Sequence, residues 1–178
     1  YTDDIVLANM AQCYFVRSPH AHAKIRSIDK SAALSAPGVI GILDGQDVAA
    51  DKINGLPCGW LITSTHGEPM KEPPHPILAF EKVRYVGDHV AMVVAETYEQ
   101  ARNAAELVVV DYEPLAAVVD VRDAQAPGAP VIHDIASNNQ CYKWAIGDKA
   151  TVDATFANAA HVTKLDLVTV SYTHLRAH

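Results

Sequence analysis

The chain has 178 residues, of which 49% are hydrophobic and 20% charged. This composition excludes an intrinsically disordered chain, because disorder requires low hydrophobicity, and the length is sufficient for a domain with a buried core. The 14 basic and 21 acidic residues give a formal net charge of −7, which argues against nucleic acid as the main partner, since phosphate binding needs a basic surface. No apolar run approaches the ~20 residues of a membrane span. The composition therefore indicates an acidic, soluble, intracellular protein.

Cysteine usage and the first residue add two expectations. Cys13, Cys58 and Cys141 are too few and too scattered for a disulfide framework or for the paired-cysteine pattern of a zinc site. The chain begins with Tyr1 rather than methionine, so we expect that residues are missing upstream.

The first fifty residues predict short strands and short helices in alternation. Aromatic and β-branched residues indicate strands, and a helix is expected where Asp29 can cap it and the Pro37-Gly38 pair can end it. The predicted strands are Cys13–Val16, Ala23–Ile28 and Val39–Leu43, and the predicted helical segments are Ser31–Leu34 and Gln46–Ala50.

Residues 51–76, called the Pro/Gly loop below, predict an irregular backbone. Three glycines and five prolines interrupt this segment, so no long helix or strand can run through it. Loops of this length within a compact domain are commonly functional. The loop is therefore a candidate functional segment.

The clearest structural pattern lies between residues 77 and 114. Two apolar strands separated by the Gly87-Asp88 turn precede a helix, which Thr97 and Gln100 begin as a capping box, and a third strand follows the helix. The predicted elements are the strands Lys82–Val86 and His89–Ala95, the helix from Tyr98 to about Leu107, and the strand Val108–Tyr112. This order predicts an α/β (α+β) fold with a mixed sheet and packed helices.

The remaining residues predict a less regular region. Ala124–Pro130 has the composition of a linker, strands are predicted over Tyr142–Ile146 and His161–Val168, and Asp148 is positioned to cap a helix between them.

Four groups of residues carry side chains suited to chemistry. His20 and His22 have a spacing that metal sites use, but no nearby residue completes a ligand set, so a Ser-Pro turn is the preferred interpretation. Cys58 is the best thiol candidate, although an inert cysteine is the default. The others are the loop residues His66, Glu68, Glu72 and His75, interpreted as a solvated loop, and the Asp3-Asp4 pair, whose side chains point to opposite sides of an extended chain.

Two common catalytic motifs are missing from the sequence. The glycines of Gly87-Asp88 and Gly147-Asp148 are isolated, so there is no glycine-rich phosphate loop, and no Gly-x-Ser-x-Gly elbow supports an esterase triad. The residues alone therefore predict an α/β domain without a visible catalytic set.

Seven segments, in order over residues 1–169, together resemble a known family. They are Tyr1–Ile5, Val16–Ile25, Ile28–Val39, Lys82–Gly87, Val94–Thr97, Ala101–Leu107 and Val110–Leu115. They resemble the large, molybdenum-cofactor-binding subunit of the xanthine dehydrogenase and aldehyde oxidase family. Within that family, Trp144–Lys149, Asp153–Phe156 and Ala159–Val162 look most like the large chain of aerobic carbon-monoxide dehydrogenase.

The resemblance implies a domain arrangement. Residues 1–120 look like the α/β hammerhead domain, residues 121–138 a linker, and residues 139–169 the start of the first molybdopterin-binding domain. The sequence of residues 170–178 departs from the family pattern and matches the translation of a common transposase sequencing adapter. We therefore expect these nine residues to be adapter read-through rather than protein sequence.

The resemblance also implies an activity for the intact subunit. It would oxidise carbon monoxide, a purine, an aldehyde or an N-heterocycle with water as the oxygen source, using molybdenum bound to molybdopterin cytosine dinucleotide. Electrons would leave through two-iron two-sulfur clusters and FAD on a small and a medium partner subunit, in a dimer of heterotrimers. The location would be cytoplasmic, with peripheral association at the inner face of the membrane as the alternative.

The family's cofactor-contacting and catalytic motifs do not occur in these 178 residues. No catalytic, cofactor-binding or metal-binding residue is therefore assigned, and the chain alone is expected to be inactive and to serve as a scaffold. A stand-alone α/β binding module that acts through protein contacts is the alternative hypothesis.

Overall fold

The computed structural model describes residues 4–167 of two compact units, Tyr1–Trp144 and Ala145–His178. The first unit contains strands β1 (Gln12–Arg17), β2 (Ala23–Asp29), β3 (Val39–Asp44), β4 (Lys82–Val83), β5 (His89–Ala95) and β6 (Val109–Pro114), helices α1 (Ser31–Leu34), α2 (Gly45–Ala50) and α3 (Tyr98–Ala105), and a short 3-10 helix, Val121–Asp123. The second unit contains helix α4 (Lys149–Ala157). Among the described residues, no helix has the length and apolar character needed to cross a bilayer.

The strands form two three-stranded antiparallel sheets rather than one mixed sheet. The first sheet has the order β1-β5-β3, and Tyr14, Val93 and Ile42 lie opposite one another across its three strands. The second sheet has the order β4-β2-β6. The predicted mixed sheet is wrong, because all strand pairs of the described residues are antiparallel and helix α3 connects a strand of the first sheet to a strand of the second. The α/β class itself is confirmed.

The core lies on one face of the first sheet and extends between the two sheets. Small side chains of α3, with Ala101 and Ala104 essentially inaccessible, pack against the inner face of β5, where Val93 is fully buried. Small residues at helical spacing, here Ala101, Ala104 and Ala105, allow the helix to approach the sheet closely. A second cluster joins Val90 of β5 to Ala23 and Val83 of the second sheet, and so fixes β4 relative to the main sheet.

Local capping sets the helix boundaries. The Thr97 hydroxyl accepts a hydrogen bond from the Gln100 backbone N–H, and the Gln100 side-chain oxygen accepts one from the Thr97 backbone N–H, which confirms the predicted capping box. Asp44 and Asp47 form a second capping box at the start of α2, which the sequence reading missed. The predicted cap of α1 is wrong in position: the N-cap residue is Lys30, without a side-chain cap hydrogen bond, and Asp29, one residue earlier, accepts from the Ser31 N–H through its carboxylate.

The second unit differs from the expected pattern. Asp148 caps α4 by accepting from the Thr151 N–H, as predicted, and all described residues of this helix are exposed. The strands predicted over Tyr142–Ile146 and His161–Val168 are wrong within the described residues, where neither segment forms a strand. Alternation favours a strand only where a neighbouring strand supplies hydrogen bonds. Residues 170–178, the predicted read-through, lie outside the described residues.

Candidate functional site

A cavity of about 330 Å³ lies between the Pro/Gly loop and strand β4. Gly55, Leu56, Pro74, His75, Pro76, Phe80, Glu81, Lys82 and Arg84 line it. The alternation of β4 places Lys82 and Arg84 on one side of the chain, while Val83 between them is buried in the core. The cavity therefore combines apolar walls with two cations.

Arg84 is held in this cavity mainly by backbone carbonyl groups. Its Nε donates to the Ile132 carbonyl oxygen at 3.3 Å, and Nη1 donates to the Lys82 carbonyl oxygen at 3.4 Å. Its backbone N–H donates to the Asp88 carboxylate at 3.0 Å. Among residues 4–167 no carboxylate forms an ion pair with the guanidinium, so the positive charge is fixed in place without a counter-ion.

The positive charge of Arg84 affects the pKa of a neighbouring imidazole. Burial, followed by the positive charge of Arg84, lowers the pKa of His133, and the opposing effect of Asp134 is smaller. Asp134 also contacts Lys82, with Nζ to Oδ2 at 3.7 Å, but its side chain is 81% exposed, so this pair is weak. The guanidinium of Arg84 therefore lies close enough to His133 to disfavour protonation of its imidazole.

The Pro/Gly loop closes over the cavity by a direct backbone contact. The Leu56 N–H donates to the His75 carbonyl oxygen at 2.9 Å. Gly55 lies so close to the same carbonyl that a Cβ atom there would overlap it. Glycine is therefore required at this position by the approach of two backbone segments.

The middle of the loop forms a small hairpin beside a later segment of the chain. Thr63 and Pro69 form an antiparallel bridge, and the Ser64 N–H donates to the Glu68 carbonyl at 2.8 Å. On the outer side, the N–H groups of Thr65 and Lys71 donate to the carbonyls of Lys143 and Cys141 at 2.8 and 2.9 Å. Residues 141–143 thus act as a third extended segment that holds the loop.

The four polar loop residues named from the sequence do not converge on one point. His66 and Glu68 line a polar cavity of about 480 Å³, whereas Glu72 and His75 line a different cavity of about 490 Å³. The proposed interpretation as a solvated loop agrees with the exposure of these side chains. Among residues 4–167, no group of three His, Cys, Asp or Glu side chains is placed to hold a metal ion.

Cys58 lies in the same 490 Å³ cavity as Cys141. Its Sγ donates to the Trp60 carbonyl at 3.3 Å, and the side chain is exposed. No general base bonds to this thiol in the described part of the chain. The structure therefore gives Cys58 no nucleophilic arrangement.

His20 and His22 are held by different partners and do not form a pair. The Ser18 hydroxyl caps the turn by accepting from the His20 N–H at 3.0 Å, and the His20 ring packs edge-on against Tyr112. His22 is buried, with Nδ1 at 2.7 Å from the Ala116 carbonyl oxygen. Both histidines thus serve the turn before β2, as the preferred interpretation expected. Of the Asp3-Asp4 pair, Asp3 lies outside the described residues.

Apart from His75, the residues that build the cavity were not among the candidates named from the sequence. The alternation Lys82-Val83-Arg84 is the local signal that could have placed two cations on one side of a strand. No sequence signal connects Arg84 to the carbonyl of Ile132, which is 48 residues away.

These features can be compared with known proteins. A family model described as "Aldehyde oxidase and xanthine dehydrogenase, a/b hammerhead domain" matches residues 1–116. The chain therefore belongs to the α/β hammerhead family of aldehyde oxidases and xanthine dehydrogenases.

Two relatives show how the similarity extends beyond that domain. The chain is 37% identical to the carbon monoxide dehydrogenase large chain of Afipia carboxidovorans over 98% of its own length and 22% of that protein. It is 35% identical to the nicotine 6-hydroxylase large subunit of Paenarthrobacter nicotinovorans, over 91% of this chain and 19% of that subunit. The chain thus spans about a fifth of the length of these curated relatives.

Solved structures support the same fold. The reconstituted CO dehydrogenase of Oligotropha carboxidovorans matches with a TM-score of 0.71 and 37% identity, over 89% of this chain and 20% of that one. Quinoline 2-oxidoreductase from Pseudomonas putida 86 matches with a TM-score of 0.62 and 38% identity, over 72% of this chain and 16% of that one. The resemblance inferred from the sequence is confirmed.

Proposed function

We propose that this chain is the hammerhead portion of the large subunit of a molybdenum hydroxylase and that it acts there as a scaffold. The observation that carries the proposal is the family match over residues 1–116, together with 37% identity to a carbon monoxide dehydrogenase large chain. The intact enzyme would oxidise carbon monoxide, a purine, an aldehyde or an N-heterocycle, with water as the oxygen source.

The cofactors of the intact enzyme follow from the same proposal. Molybdenum would be bound to molybdopterin cytosine dinucleotide in the large subunit, and FAD and two-iron two-sulfur clusters would lie on the medium and small partner subunits. A dimer of heterotrimers in the cytoplasm is the expected assembly. The described residues do not fit the molybdenum cofactor, because they offer no glycine-rich loop for the phosphates of its dinucleotide. No step of the oxidation is therefore assigned to them.

The scaffold role is supported by apolar side chains on the surface of the first unit. Trp60 and Leu61 of the Pro/Gly loop are 80% and 65% exposed, and Leu56 is 70% exposed. Clusters of large exposed apolar residues are typical of surfaces that contact further protein. In the intact subunit, we expect the loop to pack against the cofactor-binding domains and to form part of the wall of the substrate approach.

The experiment is expression of the complete polypeptide with its partner subunits, followed by elemental analysis for molybdenum and nucleotide analysis after acid hydrolysis. We expect molybdenum and CMP in the complex, and neither in the 178-residue chain prepared in the same host. Oxidation of a substrate panel in ¹⁸O-labelled water should place ¹⁸O in the product. A complex without molybdenum would contradict the enzyme proposal and favour a stand-alone binding module.

A further inference from the structure

We propose that the cavity beside Arg84 binds a carboxylate attached to an apolar body, such as an aromatic or branched aliphatic group. This inference does not depend on the proposed function, since it rests on the donors, charges and walls of the cavity alone.

Arg84 supplies the recognition element. A guanidinium has five N–H donors, and the hydrogen bonds to Ile132 and Lys82 occupy two of them. The remaining donors have no partner among residues 4–167. Because both bonds are to carbonyl oxygens, the guanidinium plane is fixed while its charge stays available. A planar, fixed guanidinium matches the two oxygens of a carboxylate.

The charge available to an anion is that of Arg84. Among the residues that line the cavity, Lys82 and Arg84 contribute two positive charges and Glu81 one negative charge. Asp134 adds a second negative charge from outside the lining and pairs with Lys82, with Nζ to Oδ2 at 3.7 Å. An incoming carboxylate would therefore complete a charge pair with the Arg84 guanidinium, for which the described residues provide no carboxylate partner.

The apolar walls of the cavity favour a ligand whose carboxylate is attached to an apolar group. Leu56 and Phe80 are 70% and 45% exposed at the cavity, and prolines form the wall beside them. A small inorganic anion would leave these apolar groups in water, whereas an apolar body attached to the carboxylate would cover them. The volume of about 330 Å³ lies at the lower end of the range for small-molecule sites.

The test is an NMR titration of the ¹⁵N-labelled 178-residue chain with benzoate. We expect saturable shifts of the backbone signals of Leu56 and Phe80 and of the Arg84 Nε signal. Benzamide has the same shape without the charge, so we expect it to bind at least about tenfold more weakly, as should inorganic phosphate, which has no apolar body. Equal binding of benzoate and either comparison compound, or no binding of benzoate, would overturn the proposal.

Variants separate this site from general anion binding. Arg84→Gln should weaken benzoate binding at least about tenfold, whereas Arg122→Gln should leave it unchanged, because Arg122 pairs with Asp120 outside the cavity. If Arg84→Gln does not fold, Leu56→Glu serves instead: it changes an exposed residue and places a competing carboxylate at the wall. Unchanged benzoate binding in the folded variant would refute the assignment.

A final arm distinguishes two sources of the carboxylate. The same titration on the complete polypeptide that contains this chain should show benzoate binding if the natural ligand is a free small molecule. Protection of the cavity from benzoate, relieved when an acidic side chain elsewhere in that polypeptide is replaced, would assign the carboxylate to the protein itself. Protection that no acidic replacement relieves would overturn the proposal.

Discussion

Replacement of Asn139 should disturb the segment that holds Arg84 in the cavity. Its Oδ1 accepts from the Ile132 N–H at 3.0 Å, and its Nδ2 donates to the carbonyls of Ala124 and Pro130 at 2.9 and 2.8 Å. It also has a positive φ of 56°, a conformation that asparagine adopts more readily than most residues. The Asn139 side chain thus holds together residues 124–132, the segment whose Ile132 carbonyl oxygen accepts the hydrogen bond from Arg84.

The size of the effect follows from these contacts. Each hydrogen bond contributes about 0.5–1.5 kcal/mol net, and alanine in a left-handed conformation adds about 1 kcal/mol of strain. Because Asn139 is only half-buried, water can replace part of the lost bonding. We therefore expect Asn139→Ala to lower the free energy of unfolding by about 2–4 kcal/mol, unless the segment opens locally first and limits the global loss. Asn139→Gly removes the strain but not the lost bonds and should recover about 1 kcal/mol.

Urea unfolding followed by circular dichroism measures the global loss, and hydrogen exchange of the Ile132 amide measures local opening. Asn138→Ala is the matched control, because Asn138 is exposed and accepts a single hydrogen bond at 3.3 Å. Its effect should stay within about 0.5 kcal/mol. The reasoning is refuted if the two variants lose equal stability and the exchange rate of the Ile132 amide is unchanged in Asn139→Ala.

Three further predictions concern the core, the pH response and the loop. Val93→Ala, at a fully buried position, should cost about 2–3 kcal/mol in urea unfolding, whereas Val119→Ala at a 91% exposed position should cost less than about 0.5 kcal/mol; equal losses would contradict the core assignment. Burial and the charge of Arg84 lower the pKa of His133, so the unfolded chain binds a proton at this imidazole more tightly, and the free energy of unfolding should fall as the pH falls below about 6.5. Urea unfolding at several pH values should show a smaller fall of this free energy with decreasing pH for His133→Gln. An equal fall in the variant and the unaltered chain would argue against this cause. Gly55→Ala would place a Cβ atom against backbone that cannot move aside, so limited proteolysis should cleave the Pro/Gly loop faster than in the unaltered chain; an unchanged rate would show that the loop accommodates the methyl group.

Much of the first unit could be predicted from local sequence patterns. The Thr97 capping box, the apolar run of β5 and the small-residue face of α3 each depend on residues close in sequence, and all three are present in the structure. The predicted strands at Tyr142–Ile146 and His161–Val168 failed because alternation reports a preference and not a partner strand. The separation into two sheets likewise depends on which strands pair, and local patterns do not contain that information.

The candidate site shows the same division between local and distant information. The spacing of Lys82 and Arg84 is local, and it predicts two cations on one side of a strand. Arg84, which has no carboxylate partner among residues 4–167, is fixed by the carbonyl of Ile132, and Asn139 holds Ile132 in place from seven residues further along the chain. An acidic chain can therefore contain a site for an anion, because the net charge of a sequence does not determine where a fixed cation without a carboxylate partner lies. For the same reason, benzoate binding should depend on the geometry of the Arg84 guanidinium and not only on its charge. Arg84→Lys keeps the charge but loses the planar set of donors, so this variant should bind benzoate more weakly than the unaltered chain.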